Sequence, residues 1–310
     1  MDDRRADEGV LDPWVADWLE ANPRVFELPD IYELARGTDS PFAVTRDVAH
    51  IEDDVVDGVP VRLYRPDGEV TGLVVYFHGG GMCVGSIGLM DNVARALMHA
   101  CGAVVVSVEY RLGPEHPFPA GLDDCEAVSR WAIRNARRLG VDPAKVMVAG
   151  ESAGGTMAAG VTLRLRGEAD ASLAGQVLIY PGLDGGSSTL PSRREFAGFM
   201  MSKREMDWCW TSYAGGRDID NDPFAAPLRA PSLVDLPPAF IVLGGCDFLR
   251  DEGRLYAARL RDAGVDARDI CYPGQIHGFM NHMFPAAADA FETIGAWVRP
   301  RLAGVPIPHD

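Results

Sequence analysis

Short, mostly apolar runs recur along this chain, separated by stretches with helical spacing. Residues 73–77, 104–108, 146–149, 176–180 and 240–243 are rich in Val, Leu and Ile. Strands buried on both faces have this character. Residues 61–64 alternate like a half-exposed strand, and 269–272 form a shorter candidate. Between them, residues 88–100, 121–139, 153–166, 252–263 and 286–299 carry apolar positions at helical spacing. Strand and helix in alternation predict an α/β chain with a mostly parallel central sheet and helices on both faces.

Two segments break the rhythm. Near the start, Asp12-Pro13 reads as a helix start, and Leu11, Trp14, Val15, Trp18 and Leu19 form one apolar face behind it. Residues 183–238 form an excursion between two core strands. It opens Gly/Ser-rich, and Ser202-x-x-Glu205 then reads as a capping box. Met206, Trp210 and Tyr213 follow at helical spacing. Both segments read as a helical cap over a pocket, although ordinary packing on the same domain explains the excursion equally well. Phe196, Phe199, Met200, Met201 and Trp210 are its candidate pocket-lining residues. The division is an N-terminal cap segment at 1–43 and a single catalytic domain at 44–310, with the cap insertion at about 183–238.

Composition narrows the partners. The 310 residues include 45 Asp+Glu against 29 Lys+Arg, a net charge of −16. Non-specific nucleic-acid binding needs the opposite sign, because cationic side chains must displace the counterions. The start, Met1 to Glu8, is charged and shows no apolar signal-peptide core, and no run reaches membrane-spanning length. The six cysteines are scattered without a C-x-x-C pair. Reduced thiols and a cytoplasmic protein are expected, rather than disulfides or a metal site.

The chemistry sits in two glycine-rich turns. Gly150-Glu151-Ser152-Ala153-Gly154 lies between a strand candidate and a helix candidate. A sharp strand–turn–helix explains the glycines, since side chains at 150 or 154 would crowd it. Ser152 then projects its hydroxyl at the positive end of a helix. Upstream, His78-Gly79-Gly80-Gly81 follows the strand candidate 73–77. Glycines there let backbone amides point at a developing oxyanion. The amides of Gly80, Gly81 and Ala153 are the expected donors, and His78 shapes the loop. A phosphate loop is the competing reading. It fails because no Lys precedes Ser86 in Gly80-Gly81-Met82-Cys83-Val84-Gly85-Ser86.

A serine nucleophile needs a base, and the base needs a carboxylate to fix its tautomer. Of the seven histidines, His277 follows the last strand candidate, where an α/β sheet displays functional groups. His282 is further from that strand end, and His309 is in the tail. Asp247 directly follows the strand candidate 240–243 and is the expected acid. Asp251 and Glu252 are explained by a helix N-terminus. Ser152, Asp247 and His277 are thus the expected catalytic residues.

In these motifs the chain resembles the bacterial hormone-sensitive-lipase-like esterases of the α/β-hydrolase superfamily. The resemblance covers about residues 72–280. It rests on His78-Gly79-Gly80-Gly81, the segment from Tyr110 to Ala120, Gly150-Glu151-Ser152-Ala153-Gly154-Gly155, Asp247 to Glu252, and His277-Gly278-Phe279. The chain departs from the usual pattern at Glu151, where Asp is frequent, at Gly113, where Ala is frequent, and at Phe248, where Pro is common. The resemblance implies the α/β-hydrolase fold, a helical cap, hydrolysis of small short-to-medium acyl esters, and no metal or cofactor. Amidase, deacetylase or lactonase chemistry would use the same groups, and a non-catalytic small-molecule receptor would use the same fold. Dimers are common among these esterases, so a homodimer is compatible and the oligomeric state stays open.

Overall fold

The computed structural model describes residues 9–23, 27–36 and 46–305. The predicted cap segment 1–43 is therefore described only in part, and the charged start, residue 44 and His309 lie outside the described residues. Eight strands form one sheet: β1 (His50–Val56), β2 (Val59–Arg65), β3 (Leu73–Phe77), β4 (Val104–Val108), β5 (Val146–Glu151), β6 (Gly175–Ile179), β7 (Ala239–Gly244) and β8 (Ala267–Tyr272). Their spatial order is β1-β2-β4-β3-β5-β6-β7-β8. Pairing is antiparallel at β1·β2 and β2·β4 and parallel from β4 through β8.

The helices are α1 (Pro13–Ala21), α2 (Leu28–Arg36), α3 (Asp91–Cys101), α4 (Ala120–Asn135), α5 (Ala153–Leu165), α6 (Pro191–Glu195), α7 (Lys203–Ala214), α8 (Arg250–Asp262) and α9 (Pro285–Ala303). Alternate residues of each buried strand feed opposite cores, as the two-residue period requires. Leu73, Val75 and Phe77 of β3 pack with Leu122 of α4, Met157 of α5 and Tyr256 of α8. Val74 and Tyr76 pack with Leu97 of α3 and Phe291 and Trp297 of α9.

The unbroken apolar runs all fold as central strands. The half-exposed run is β2, and the shorter candidate is β8. The stretch 121–139 ends earlier as an α-helix than its spacing suggests. It tightens into a 3₁₀ turn at Ala136–Leu139 before Gly140. Three elements fall outside the predicted segments: β1, α2 and α6. In β1 every position but Val56 is exposed, so no apolar alternation marks it. It is held instead by its ladder to β2, by the Arg62–Asp53 ion pair at 2.6 Å, and by the Asp57-Gly58 turn, where both φ angles are positive.

The capping box is present. Ser202 Oγ accepts from Glu205 N–H at 3.2 Å, and Glu205 accepts from Ser202 N–H at 2.7 Å. Glu205 also accepts from Leu28 N–H at 2.7 Å, which ties α2 to α7. The aromatic face of α1 docks on the loop beyond β8: Trp14 and Trp18 stand 4.8 and 4.9 Å from the Phe284 ring.

Candidate active site

Between β5 and α5 the chain turns through Ser152 at φ 54°, ψ −121°. A residue other than glycine at positive φ is strained and persists only where its surroundings over-determine it. Here Ser152 N–H donates to Ile179 O at 2.9 Å, and its carbonyl accepts from Gly155 N–H at 2.9 Å. A Cβ at Gly154 would overlap the carbonyl oxygen of Phe77, and one at Gly150 would overlap Gly154 O. The two glycines therefore let β3, the turn and α5 close on one another.

Parallel pairing of β5, β6, β7 and β8 places the ends of these strands side by side. Asp247 follows β7 and His277 follows β8. Their side chains meet: His277 Nδ1 lies 2.9 Å from Asp247 Oδ2, and His277 Nε2 lies 2.9 Å from Ser152 Oγ. A carboxylate only accepts, so Nδ1 carries the proton and Nε2 accepts from the Ser152 hydroxyl. Asp247 is fully buried, and its second oxygen accepts from Leu249 N–H at 2.7 Å. The His277 ring is fixed by Phe248 at 4.7 Å and by Tyr180 edge-on at 5.0 Å.

The glycine loop is bolted from beneath. His78 stacks on Tyr110 at 4.3 Å, and its Nδ1 donates to Gly79 O at 2.8 Å. Burial pushes the His78 imidazole below its ordinary value against the opposing pull of Glu109, so it serves the loop as a neutral ring. Gly79 N–H donates to the buried Glu151 carboxylate at 2.5 Å. Burial raises the Glu151 carboxyl, against the hydrogen bonds from Asn281 and Gly79. Gly80 and Gly81 follow at φ 124° and 60°. Among the described residues, the amides of Gly80, Gly81 and Ala153 donate to no other group of the chain.

The family described as the alpha/beta hydrolase fold matches residues 74–281, two thirds of the chain. The chain belongs to the α/β-hydrolases. Its relatives sharpen the class. The esterase LipI of Mycobacterium tuberculosis is 36% identical over 305 residues, 93% of this chain and 94% of that protein. The carboxylesterase NlhH of the same species is 39% identical over 298 residues, 90% and 92% of the two chains. A solved esterase from Pyrobaculum calidifontis superposes with a TM-score of 0.85 at 34% identity, covering 93% of this chain and 98% of its own. This α/β-hydrolase is a carboxylic ester hydrolase of the hormone-sensitive-lipase-like group. No helix among the described residues is long and apolar enough to cross a membrane.

Two cavities of the hydrolase meet at Ser152. One holds about 490 Å³ including its open mouth, and its wall includes Gly81, Ala153, Met201, Met206, Trp210 and Arg193. The other holds about 790 Å³ on the same measure and is lined by Gly80, His277, Met200, Met201, Leu28 and His282. Met200, Met201 and Trp210 thus stand where a cap would put them. Phe196 and Phe199 do not: they stack on each other at 6.3 Å, with Arg250 over the Phe196 ring, and line neither cavity. The aromatic and Met residues of the excursion therefore do not form one wall. In the folded chain Phe196 is spent on the core.

Sequence reasoning passed over Asn281 and Tyr180. Asn281 Nδ2 donates to Glu151 at 2.9 Å and its Oδ1 accepts from Tyr180 OH at 2.8 Å. The available signal was Glu151 itself, since a carboxylate beside a turn packed between core elements needs donors.

Proposed function

We propose that this hydrolase cleaves short-to-medium acyl esters through an acyl-enzyme on Ser152. The observation that carries the reading is the continuous chain Ser152 Oγ–His277 Nε2 and His277 Nδ1–Asp247 Oδ2, at 2.9 Å in each link. Ser152 attacks the ester carbonyl while His277 takes its proton. Asp247 holds the imidazole in the tautomer that can accept and stabilises the imidazolium that forms. The amides of Gly80, Gly81 and Ala153 receive the oxyanion, and the positive end of α5 adds to their field. His277 then protonates the leaving alkoxide. Water, deprotonated by the same ring, releases the acid and restores Ser152.

This sequence of steps assigns the cavities. The leaving oxygen must reach His277 Nε2, so the alcohol occupies the cavity that His277 lines. The acyl chain takes the other, on the far side of Ser152. Helix α2 and the 183–238 insertion act as the cap, because Leu28, Met201, Met206 and Trp210 wall these spaces, while α1 packs beside them on the loop that carries Phe284. The six cysteines are free thiols, five of them buried, which fits a reducing cytoplasm.

Ser152→Ala tests the assignment. It should abolish hydrolysis of 4-nitrophenyl butyrate, and a fluorophosphonate should label the parent protein and not the variant. Turnover by the variant at the parent's rate would sink the reading.

A further inference from the structure

The acyl cavity carries one charged side chain in a largely apolar wall. Arg193 lines it together with Met201, Met206, Cys209, Trp210 and Phe248. Its guanidinium is largely buried, 18% exposed, beside the fully buried Glu252. Nε donates to Glu252 Oε1, and Nη2 donates to Gly185 O at 3.2 Å. Among the described residues, Nη1 has as its partner only the Met206 thioether, at 3.7 Å. Sulfur of this kind is a weak acceptor. One edge of a buried cation is therefore under-satisfied, on a residue that lines the space assigned to the acyl chain and beside Met206, which lines it too.

The position of Arg193 is built rather than incidental. Ser192 N–H donates to Asp251 at 2.9 Å, and Ser192 Oγ donates to Phe248 O at 3.0 Å. Short helix α6 is thereby fastened to the turn that carries Asp247. The charges around it cancel in pairs: Arg193 with Glu252, and Arg229 with Asp184 at 2.5 Å. The cluster has no surplus positive charge to hold an anion. A neutral carbonyl oxygen suits it, because it accepts from Nη1 and brings no charge to be buried.

We propose that the acyl cavity selects oxo-acyl esters, with Nη1 of Arg193 donating to a ketone oxygen on the acyl chain. This rests on the acyl assignment of that cavity. An alkyl chain of the same length expels water from Nη1 and returns no acceptor, whereas the oxo chain satisfies it.

The test compares kcat/KM for ethyl 3-oxo-, 4-oxo- and 5-oxohexanoate with ethyl hexanoate, and includes monoethyl succinate as the anionic arm. Each is measured on the parent and on R193M/E252Q, which removes the ion pair together and leaves no lone buried charge. At one oxo position the oxo/alkyl ratio of the parent should exceed that of the double variant by about thirtyfold. The ratio cancels intrinsic differences in ester reactivity. Ratios equal in parent and variant at all three positions would overturn the inference; should R193M/E252Q fail to fold, R193K, which keeps the charge beside Glu252 and loses the forked donor edge, takes its place in the same comparison. Preference for monoethyl succinate over every oxo ester would overturn the choice of a neutral oxygen. Hydrolysis of none of these esters, with Ser152 unlabelled by fluorophosphonate, would instead sink the triad reading and the inference with it.

Discussion

Asp247→Asn isolates the role of one oxygen. The two carboxylate oxygens of Asp247 have different partners: Oδ1 accepts from Leu249 N–H at 2.7 Å and Oδ2 faces His277 Nδ1 at 2.9 Å. An asparagine has one acceptor and one donor group. The Leu249 amide is a fixed backbone donor in a fully buried place, so it takes the carbonyl oxygen. The side-chain NH₂ then faces Nδ1 and forces it to accept. The imidazole proton moves to Nε2, pointing at Ser152, and the base no longer accepts. Size and burial hardly change, so thermal unfolding should stay within a few degrees of the parent. The turnover number for 4-nitrophenyl butyrate should fall about ten-thousandfold, equivalent to about 5 kcal/mol in the barrier. Asp251→Asn is the control, because Asp251 serves Ser192 and Arg250 and faces no member of the triad; it should keep activity within a few fold. A loss of less than tenfold in Asp247→Asn, in a folded protein, would refute the tautomer reasoning.

Three further outcomes are expected. Gly80→Ala places a Cβ against the Val84 carbonyl at φ 124°, so the loop must open and kcat should drop about a hundredfold or more, with KM changing much less; an unchanged kcat would remove Gly80 from the oxyanion site. Trp210→Ala enlarges the acyl cavity, and the octanoate-to-butyrate rate ratio of 4-nitrophenyl esters should rise about tenfold; a fall in that ratio would place the acyl chain elsewhere. Burial first, and then the neighbouring His277, lowers the His282 imidazole from 6.5 to about 4. Above pH 6.5 both folded and unfolded states are neutral there, and between that value and about 4 only the unfolded chain takes the proton. Stability is therefore lost as pH falls through this window, by about 2 kcal/mol from this residue at pH 4.5. Urea unfolding of His282→Gln should lose that much less than the parent between pH 7 and pH 4.5, and equal losses would show that His282 does not titrate as described.

What the chain discloses before it folds depends on burial. Strands β3 to β7 are buried on both faces, so their apolar runs are continuous and stand out from the helices between them. The Ser152 turn was readable because steric crowding admits only glycine at its flanks. Asp247 and His277 were readable because each lies just beyond a strand. Edge strand β1 was not, since its faces are exposed and backbone pairing to β2 defines it. Helix α2 carries Leu28, Ile31 and Tyr32 at helical spacing but is only nine residues long, and its place is fixed by long-range bonds such as Leu28 N–H to Glu205. The sequence alone determined the sheet core, the sharp turn at Ser152, the glycine loop and the order of Ser152, Asp247 and His277, because local sterics and hydrophobic periodicity act over a few residues. Tertiary structure alone decided which oxygen of Asp247 meets His277, that Asn281 and Tyr180 support Glu151, that Phe196 belongs to the core, and that Arg193 lines a cavity at Ser152. Those outcomes depend on groups up to 130 positions apart, as Asn281 and Glu151 are. Only the packing of several elements around one point sets the distances between them.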